Sequence, residues 1–132
     1  PLIYSGQEVC LNKRLKFFVR DTIRWDTCSM TGYYRNLVTL KHKNKALWNG
    51  DAGGPMIKIK TSKDNVVFAF YREKDENRVI VLLNLSKKSV ALKSLPENLN
   101  GEYTDYFAGM KTELPTADSL RLEPWGYKVF VR

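Results

Sequence analysis

The side chains able to do chemistry in this 132-residue chain are few and widely spaced. Its one histidine, His42, has no second His or Cys at ligand spacing, so a helix-surface imidazole is expected in place of a metal ligand. Cys10 and Cys28 form no CxxC; they either pair in an oxidising compartment or stay as two thiols. The second half holds no paired acids, phosphate loop or nucleophile elbow. Neither a metal nor a cofactor is expected. What remains is Gln7-Glu8, the triplet Arg24-Trp25-Asp26, and the rings of Trp48, Tyr71, Tyr103, Tyr106, Trp125 and Tyr127. Exposed aromatic faces can stack on pyranose rings, but at period two such rings more often fill a core, which leaves Trp48 and Trp125 as the two to follow.

Three kinds of segment must position these groups. The opening Leu2-Ile3-Tyr4 is an apolar, strand-like run that ends in a Gly turn, followed by a Lys- and Arg-rich loop closing on "FFVRDTIRWD". Phe17, Phe18 and Trp25 follow no clean period there, the pattern of a loop pinned onto a larger body. From Ser29 the period changes. Met30, Tyr33, Tyr34, Leu37, Val38 and Leu40 trace one face of an amphipathic helix. Ser29 is expected at its N-cap, and Lys41, Lys43 and Lys45 gather near its end, where positive charge suits the helix dipole. Gly32 is a blemish inside it, about 1 kcal/mol worse than Ala. "NGDAGGP" is then a breaker, and a domain boundary is placed at it, separating residues 1–50 from 51–132.

Beyond it, strands are expected at 56–61, 66–72, 79–85, 89–92, 103–107, 120–122 and 127–131. "VVFAFYR" and "VIVLLNL" are apolar on both faces, as central strands are, and "REKDENR" between them has hairpin-turn chemistry. Strands at this spacing with no helix between them predict a mainly β fold, an antiparallel Greek-key β-sandwich. The opening strand and helix are different. A strand followed by a crossover helix needs a parallel neighbour, and none is encoded here. Residues 1–50 therefore read as one strand and one helix left from a larger α/β body.

The formal net charge is +8, from 22 basic and 14 acidic residues, but the positive residues are scattered and interrupted by acids, as in Arg72-Glu73-Lys74-Asp75-Glu76. That pattern describes a solvated surface, so nucleic acid is the least favoured partner. No apolar run approaches the roughly 18 residues of a membrane span, and no membrane partner is expected.

Taken in order, these segments resemble the α-amylase family of glycoside hydrolases. "PLIYSGQE" is similar to the end of that family's eighth barrel strand, and "FFVRDTIRW" to the link into the last helix. "YYRNLVTLKHKNKAL" resembles that helix, and "VVFAFYREKDENRVIVLLNLS" the opening hairpin of the C-terminal β domain. "GEYTDYFAG" and "LEPWGYKVF" resemble its later strands and last turn. Each piece alone is weak; the ordered set is specific.

The resemblance implies an incomplete (β/α)₈ barrel followed by a β-sandwich, in a parent acting on α-glucans such as starch, glycogen or maltooligosaccharides. Retaining glycosidases need two carboxyl groups roughly 5 Å apart. The family draws its Asp, Glu and second Asp from the ends of the fourth, fifth and seventh barrel strands. None of those motifs occurs in this sequence, so the chain alone is expected to be inert and its β domain structural. Gln7 and Glu8 follow a strand end on the face where such barrels bind substrate. They would shape the cleft rim or hold a sugar hydroxyl; the preferred alternative has Glu8 pairing with a nearby Arg to fix the loop. Arg24 and Trp25 pose the same choice, Trp25 either stacking on a sugar or plugging the barrel's outer layer. The implied partner is the catalytic barrel, with an α-glucan and a second copy of the chain as candidates. Without the barrel, residues up to about 27 are expected to be rearranged, paired with another copy, or poorly ordered. The alternatives are a non-catalytic glucan-binding module, on Trp48 and Trp125, and a basic nucleic-acid-binding β domain.

Overall fold

The computed structural model describes residues 2–26, 28–116 and 120–132. The chain divides into two compact units, one ending at Lys43 and one beginning at Asn44. The glycine-rich stretch around residue 50 thus falls inside the second unit.

In the first unit, residues 2–4 are not a strand. They have no ladder partner among the described residues and lie exposed, because an apolar strand without neighbours leaves its own N–H and C=O groups to water. The chain then bends at Gly6, and the Leu11 N–H donates to the Gly6 carbonyl (2.9 Å) around a 3₁₀ turn at Gln7–Val9. The one helix, α1 (Ser29–Lys43), carries the expected basic last turn and half-buries Tyr33, Tyr34 and Leu37, with Leu40 buried. Its start differs by one residue from the expected cap. Ser29 is already helical; Cys28 occupies the cap position, and its N–H donates to the Thr31 hydroxyl (3.2 Å). That hydroxyl in turn donates to the Glu8 carbonyl (2.7 Å), fastening the 3₁₀ turn to the helix start. A second fastening is covalent: Cys10 and Cys28 are joined as a disulfide.

The second unit begins with two 3₁₀ turns, Lys45–Leu47 and Gly50–Ala52, and continues as β1 (Ile57–Lys58), β2 (Val67–Lys74), β3 (Asn77–Asn84), β4 (Val90–Ala91), β5 (Gly101–Asp105), β6 (Met110–Leu114), β7 (Arg121–Leu122) and β8 (Tyr127–Val131). A six-stranded antiparallel sheet runs β1-β2-β3-β8-β5-β6, and β4 pairs with β7 in a smaller second sheet. The last strand returning beside β5, between it and β3, gives the Greek-key connection. β8 matches its expected bounds, and β6 was not anticipated from the sequence. β2 and β3 run further toward each other than expected, since Asp75 adopts a left-handed φ of 54° and closes the hairpin in two residues. β1 is the shortest departure: of "MIKIK" only Ile59 reaches the core, while Ile57 stays exposed.

Alternation then decides which side chains meet. Ala69 lies opposite Leu82, Tyr71 opposite Ile80, and Ile80 opposite Phe130, so these residues share one face of the large sheet. With Val67, Tyr103 and Leu114 they bury against Val90, Leu92, Leu95, Leu99, Leu120 and Leu122. The other face of β2, β3 and β8 carries Phe68, Phe70, Val81, Leu83 and Val129, which is why these strands read as apolar on both sides.

Three polar devices complete the unit. Gly53 and Gly54 run against β2 so closely that a Cβ on Gly53 would fall on the Trp48 carbonyl, and one on Gly54 on the Glu73 carbonyl. Arg72 secures that strap, its Nε donating to the Gly54 carbonyl (2.7 Å) and its Nη2 to the Trp48 carbonyl (2.9 Å). Arg78 is buried, with Nη2 donating to both Glu73 oxygens (2.8 and 2.7 Å) and Nη1 to the Asn98 carbonyl and the Tyr103 hydroxyl. Burial works against its charge, but the bonds to Tyr103 and Glu73 outweigh it and raise the pKa.

The third device is Asn84, 1% exposed on the core side of β3. Its Nδ2 donates to the carbonyls of Lys88 (2.7 Å) and Glu123 (2.8 Å), and its Oδ1 accepts from the N–H and the hydroxyl of Ser86. Asn84→Ala strands those carbonyls and opens a cavity, and is expected to lower stability by about 2–3 kcal/mol. Asn84→Asp keeps the shape but presents oxygens to carbonyl oxygens, and should lose at least as much. Urea unfolding of both variants checks this; a loss under about 1 kcal/mol for both would remove Asn84 from this role.

Candidate functional site

Gln7 and Glu8 lie in the turn after residues 2–4, and both side chains are spent on it. The Gln7 Oε1 accepts from the Tyr4 N–H (2.6 Å), and the Glu8 Oε2 from the Gly6 N–H (3.0 Å). Among the described residues no arginine pairs with Glu8; backbone N–H groups fill the loop-fixing part that an Arg was expected to play. Each of the two residues lines an open hollow. Gln7 lines one of about 310 Å³ with Tyr4, Leu11, Lys13 and Phe17. Glu8 lines another of about 370 Å³ with Ile3, Thr31, Tyr34, Arg35 and Val38.

In the second unit, Trp48 and Trp125 are both exposed, at 40% and 61%. Trp48 follows the first 3₁₀ turn, where its carbonyl is the acceptor that Arg72 uses. Trp125 is in a turn closed by the Gly126 N–H on the Glu123 carbonyl (2.8 Å), with Pro124 at its first corner. Trp125 takes the second corner at a φ of +55°, a place that normally falls to Gly or Asn. Its N–H donates to the Ser86 carbonyl (3.0 Å). Ser86 also borders an open cleft of about 450 Å³ lined by Lys63, Asn65, Lys87, Lys88 and Ser89. Of the other rings, Tyr103 is buried in the core and Tyr71 packs against it.

The residues that fix these places went unremarked in the sequence. Asn84 anchors both the Ser86 corner and the Trp125 turn, and its signal was a lone amide in the apolar run "VIVLLNL". Arg72, which fixes Trp48, left no comparable mark.

Arg24 and Trp25 lie on the loop between Cys10 and Cys28. Arg24 pairs with Asp26 (3.4 Å) with both side chains in solvent, and Trp25 is 65% exposed. Neither lines the hollows beside Gln7 and Glu8. Each acid of this unit serves a local partner: Glu8 the Gly6 N–H, Asp26 Arg24, and Asp21 three donors. Among the described residues no three His, Cys, Asp or Glu side chains gather as metal ligands would. Asp21 is the strongest of the local ties. Lys13 Nζ donates to it at 2.8 Å, with the N–H groups of Lys16 and Thr22 completing the set. The hydrogen bond from Lys13, then those from the two backbone N–H groups, hold its carboxyl well below the ordinary 3.8. The ionised carboxylate therefore supports the loop at every pH above that value. The support is lost as pH falls below 3.8, because the unfolded loop takes the proton first. An NMR titration of the Asp21 carboxyl is expected to give a midpoint far under 3.8; a midpoint at or above it would show the tie is not formed in solution.

Comparison with known proteins supplies what local chemistry leaves open. No curated protein matches the chain in sequence. A noncanonic maltogenic α-amylase from Thermotoga neapolitana matches its fold over 100% of the chain at a TM-score of 0.77 and 17% identity. An AmyP structure in complex with maltose matches over 77% of the chain (TM-score 0.61, 17% identity), and an isomaltulose synthase from Erwinia rhapontici over 78% (TM-score 0.55, 26% identity). The chain spans only 32%, 20% and 18% of those three proteins, respectively. The family described as Maltogenic Amylase, C-terminal domain, matches residues 58–129, from the end of β1 into β8 and over more than half the chain. With the antiparallel two-sheet fold on which that match falls, the chain belongs to the C-terminal domain family of the maltogenic amylases, within the α-amylase-family glycoside hydrolases.

Proposed function

We propose that this chain is the C-terminal region of an enzyme that cleaves α-glucosidic links in starch, glycogen or maltooligosaccharides, and that its β unit acts as a structural cover for the catalytic barrel. One observation supports the reading: the family match lies on a sheet in which β2, β3 and β8 are apolar on both faces, one turned to the unit's own core and the other carrying the half-buried Phe68, Phe70, Val81 and Leu83. Residues up to about 50 would complete the barrel, with 2–4 as its last parallel strand and α1 as its last helix. Gln7, Glu8, Arg24 and Trp25 would then sit near the rim of the substrate cleft, holding loops in place; the reacting acids belong to the barrel. Alone, the chain lacks the family's three catalytic motifs and leaves the side chains of 2–4 in water. It is expected to release no reducing sugar from starch, and its sedimentation mass should rise with concentration as those surfaces associate. Starch hydrolysis by the purified chain, or a coding sequence upstream without a barrel bearing three acids at strand ends, would overturn the proposal.

A second reading, a glucan-binding surface on the β unit, is favoured by Trp125 alone. An indole held 61% exposed at a left-handed corner gains little from packing, and backbone strain of this kind persists where a surface is used. Isothermal titration with maltoheptaose discriminates. Binding at millimolar sugar that disappears in Trp125→Ala and survives in Trp48→Ala supports it; no heat from the unaltered chain eliminates it.

A further inference from the structure

We propose that Cys10–Cys28 is a permanent structural clamp acquired in an oxidising compartment, so that this protein works outside the reducing cytosol. The sequence has two cysteines, and the bond uses both. Their backbones are brought together by contacts independent of the sulfurs. Cys10 closes the 3₁₀ turn, its N–H donating to the Gln7 carbonyl, and Cys28 caps α1 through Thr31, whose hydroxyl reaches the Glu8 carbonyl at 2.7 Å. The Cα atoms stand 6.1 Å apart, inside the range that a disulfide spans without moving the chain.

Cys10 also sits at a φ of +56°, a left-handed corner where glycine is the ordinary occupant. A side chain placed there needs a reason, and the bond to Cys28 supplies one. The clamp has a load to carry. The segment it closes presents Phe17 and Phe18 at 88% and 92% exposure and Lys13, Arg14, Lys16, Arg20 and Arg24, with Asp21 as its main internal tie. So little burial does not order a loop of this length; removing the freedom of the unfolded loop does.

Formation is thiol–disulfide exchange. One thiolate attacks the disulfide of a donor, a small-molecule disulfide or an oxidoreductase, and releases one donor thiol. The second thiolate displaces the other. Two protein thiols and one donor disulfide become one protein disulfide and two donor thiols, the donor taking both electrons and both protons. Cytosolic thiol pools drive that exchange backward, whereas secreted, periplasmic and lumenal compartments let it stand.

The inference stands apart from the proposed glycosidase activity and is tested without it. Full-length protein is taken from its source cells into N-ethylmaleimide and digested with trypsin without reductant. Expected is one disulfide-linked pair, the peptide ending at Lys13 joined to that spanning residues 25–35, with no alkylation of Cys10 or Cys28. Alkylation of both overturns the proposal, as does pairing of either with another cysteine. A second measurement reads the clamp itself. The basic residues between the cysteines are tryptic sites, and a chain nicked there stays whole on a non-reducing gel and separates on a reducing one. Brief reduction of the folded protein, or Cys10→Ser with Cys28→Ser, should speed nicking by roughly tenfold or more. An unchanged rate in reductant refutes the clamp even if the double variant fails to fold.

Discussion

Asn84 faces the core from β3, where Ile80 and Leu82 precede it on the same side, and it is the point at which the two sheets are joined. An amide buried among aliphatic side chains is tolerated only if its hydrogen bonds are met, and here they are met from two directions. The carbonyl of Lys88 belongs to the connection leaving β3, and that of Glu123 to the connection between β7 and β8. The Asn84 N–H donates to Gly126 as well, so one residue holds the exit from the large sheet, the end of the small sheet and the return into β8. Hydrophobic burial explains why the sheets come together but is not directional. The amide supplies the direction.

Arg72 and Arg78 complete the same logic at the opposite end of the hairpin. Arg72 and Val79 lie opposite each other, as do Glu73 and Arg78. One guanidinium reaches out to the glycine-rich strap; the other turns inward to Glu73, Asn98 and Tyr103. The strap lies flat because its two glycines leave the carbonyls of Trp48 and Glu73 unobstructed. A stretch that reads as a linker is thus a packed edge. The hairpin carries both contacts because its strands run to Lys74 and Asn77, further than propensity alone indicates.

Much of the β unit was legible in the sequence, since its signals are local. Continuous apolar runs in "VVFAFYR" and "VIVLLNL" marked β2 and β3, and "GYKVFV" marked β8. β6 was missed because "MKTEL" holds only two apolar residues and gains its place by pairing with β5. The helix was visible in its 3.6 period, while it starts at Ser29, the residue expected to cap it, and Cys28 before it donates its N–H to the Thr31 hydroxyl. Residues 2–4 had the composition of a strand, but a strand is a property of two segments, and none of the described residues pairs with them. For the candidate site the limit was different. Gln7, Glu8, Arg24 and Trp25 could be picked out by type, yet what each side chain holds depends on N–H groups and a near neighbour that composition does not encode. Whether Cys10 and Cys28 pair was open for the same reason: spacing permits the bond, and only the docking of the 3₁₀ turn on α1 brings the two together.

The two units are stabilised by different kinds of interaction. The β unit buries a continuous set of aliphatic and aromatic side chains and satisfies its internal amide. The first unit is held by a covalent bond and by side-chain hydrogen bonds of Gln7, Glu8, Asp21 and Thr31, with Phe17, Phe18 and Trp25 in water. A segment so assembled has the correct local shape without a core to rest on.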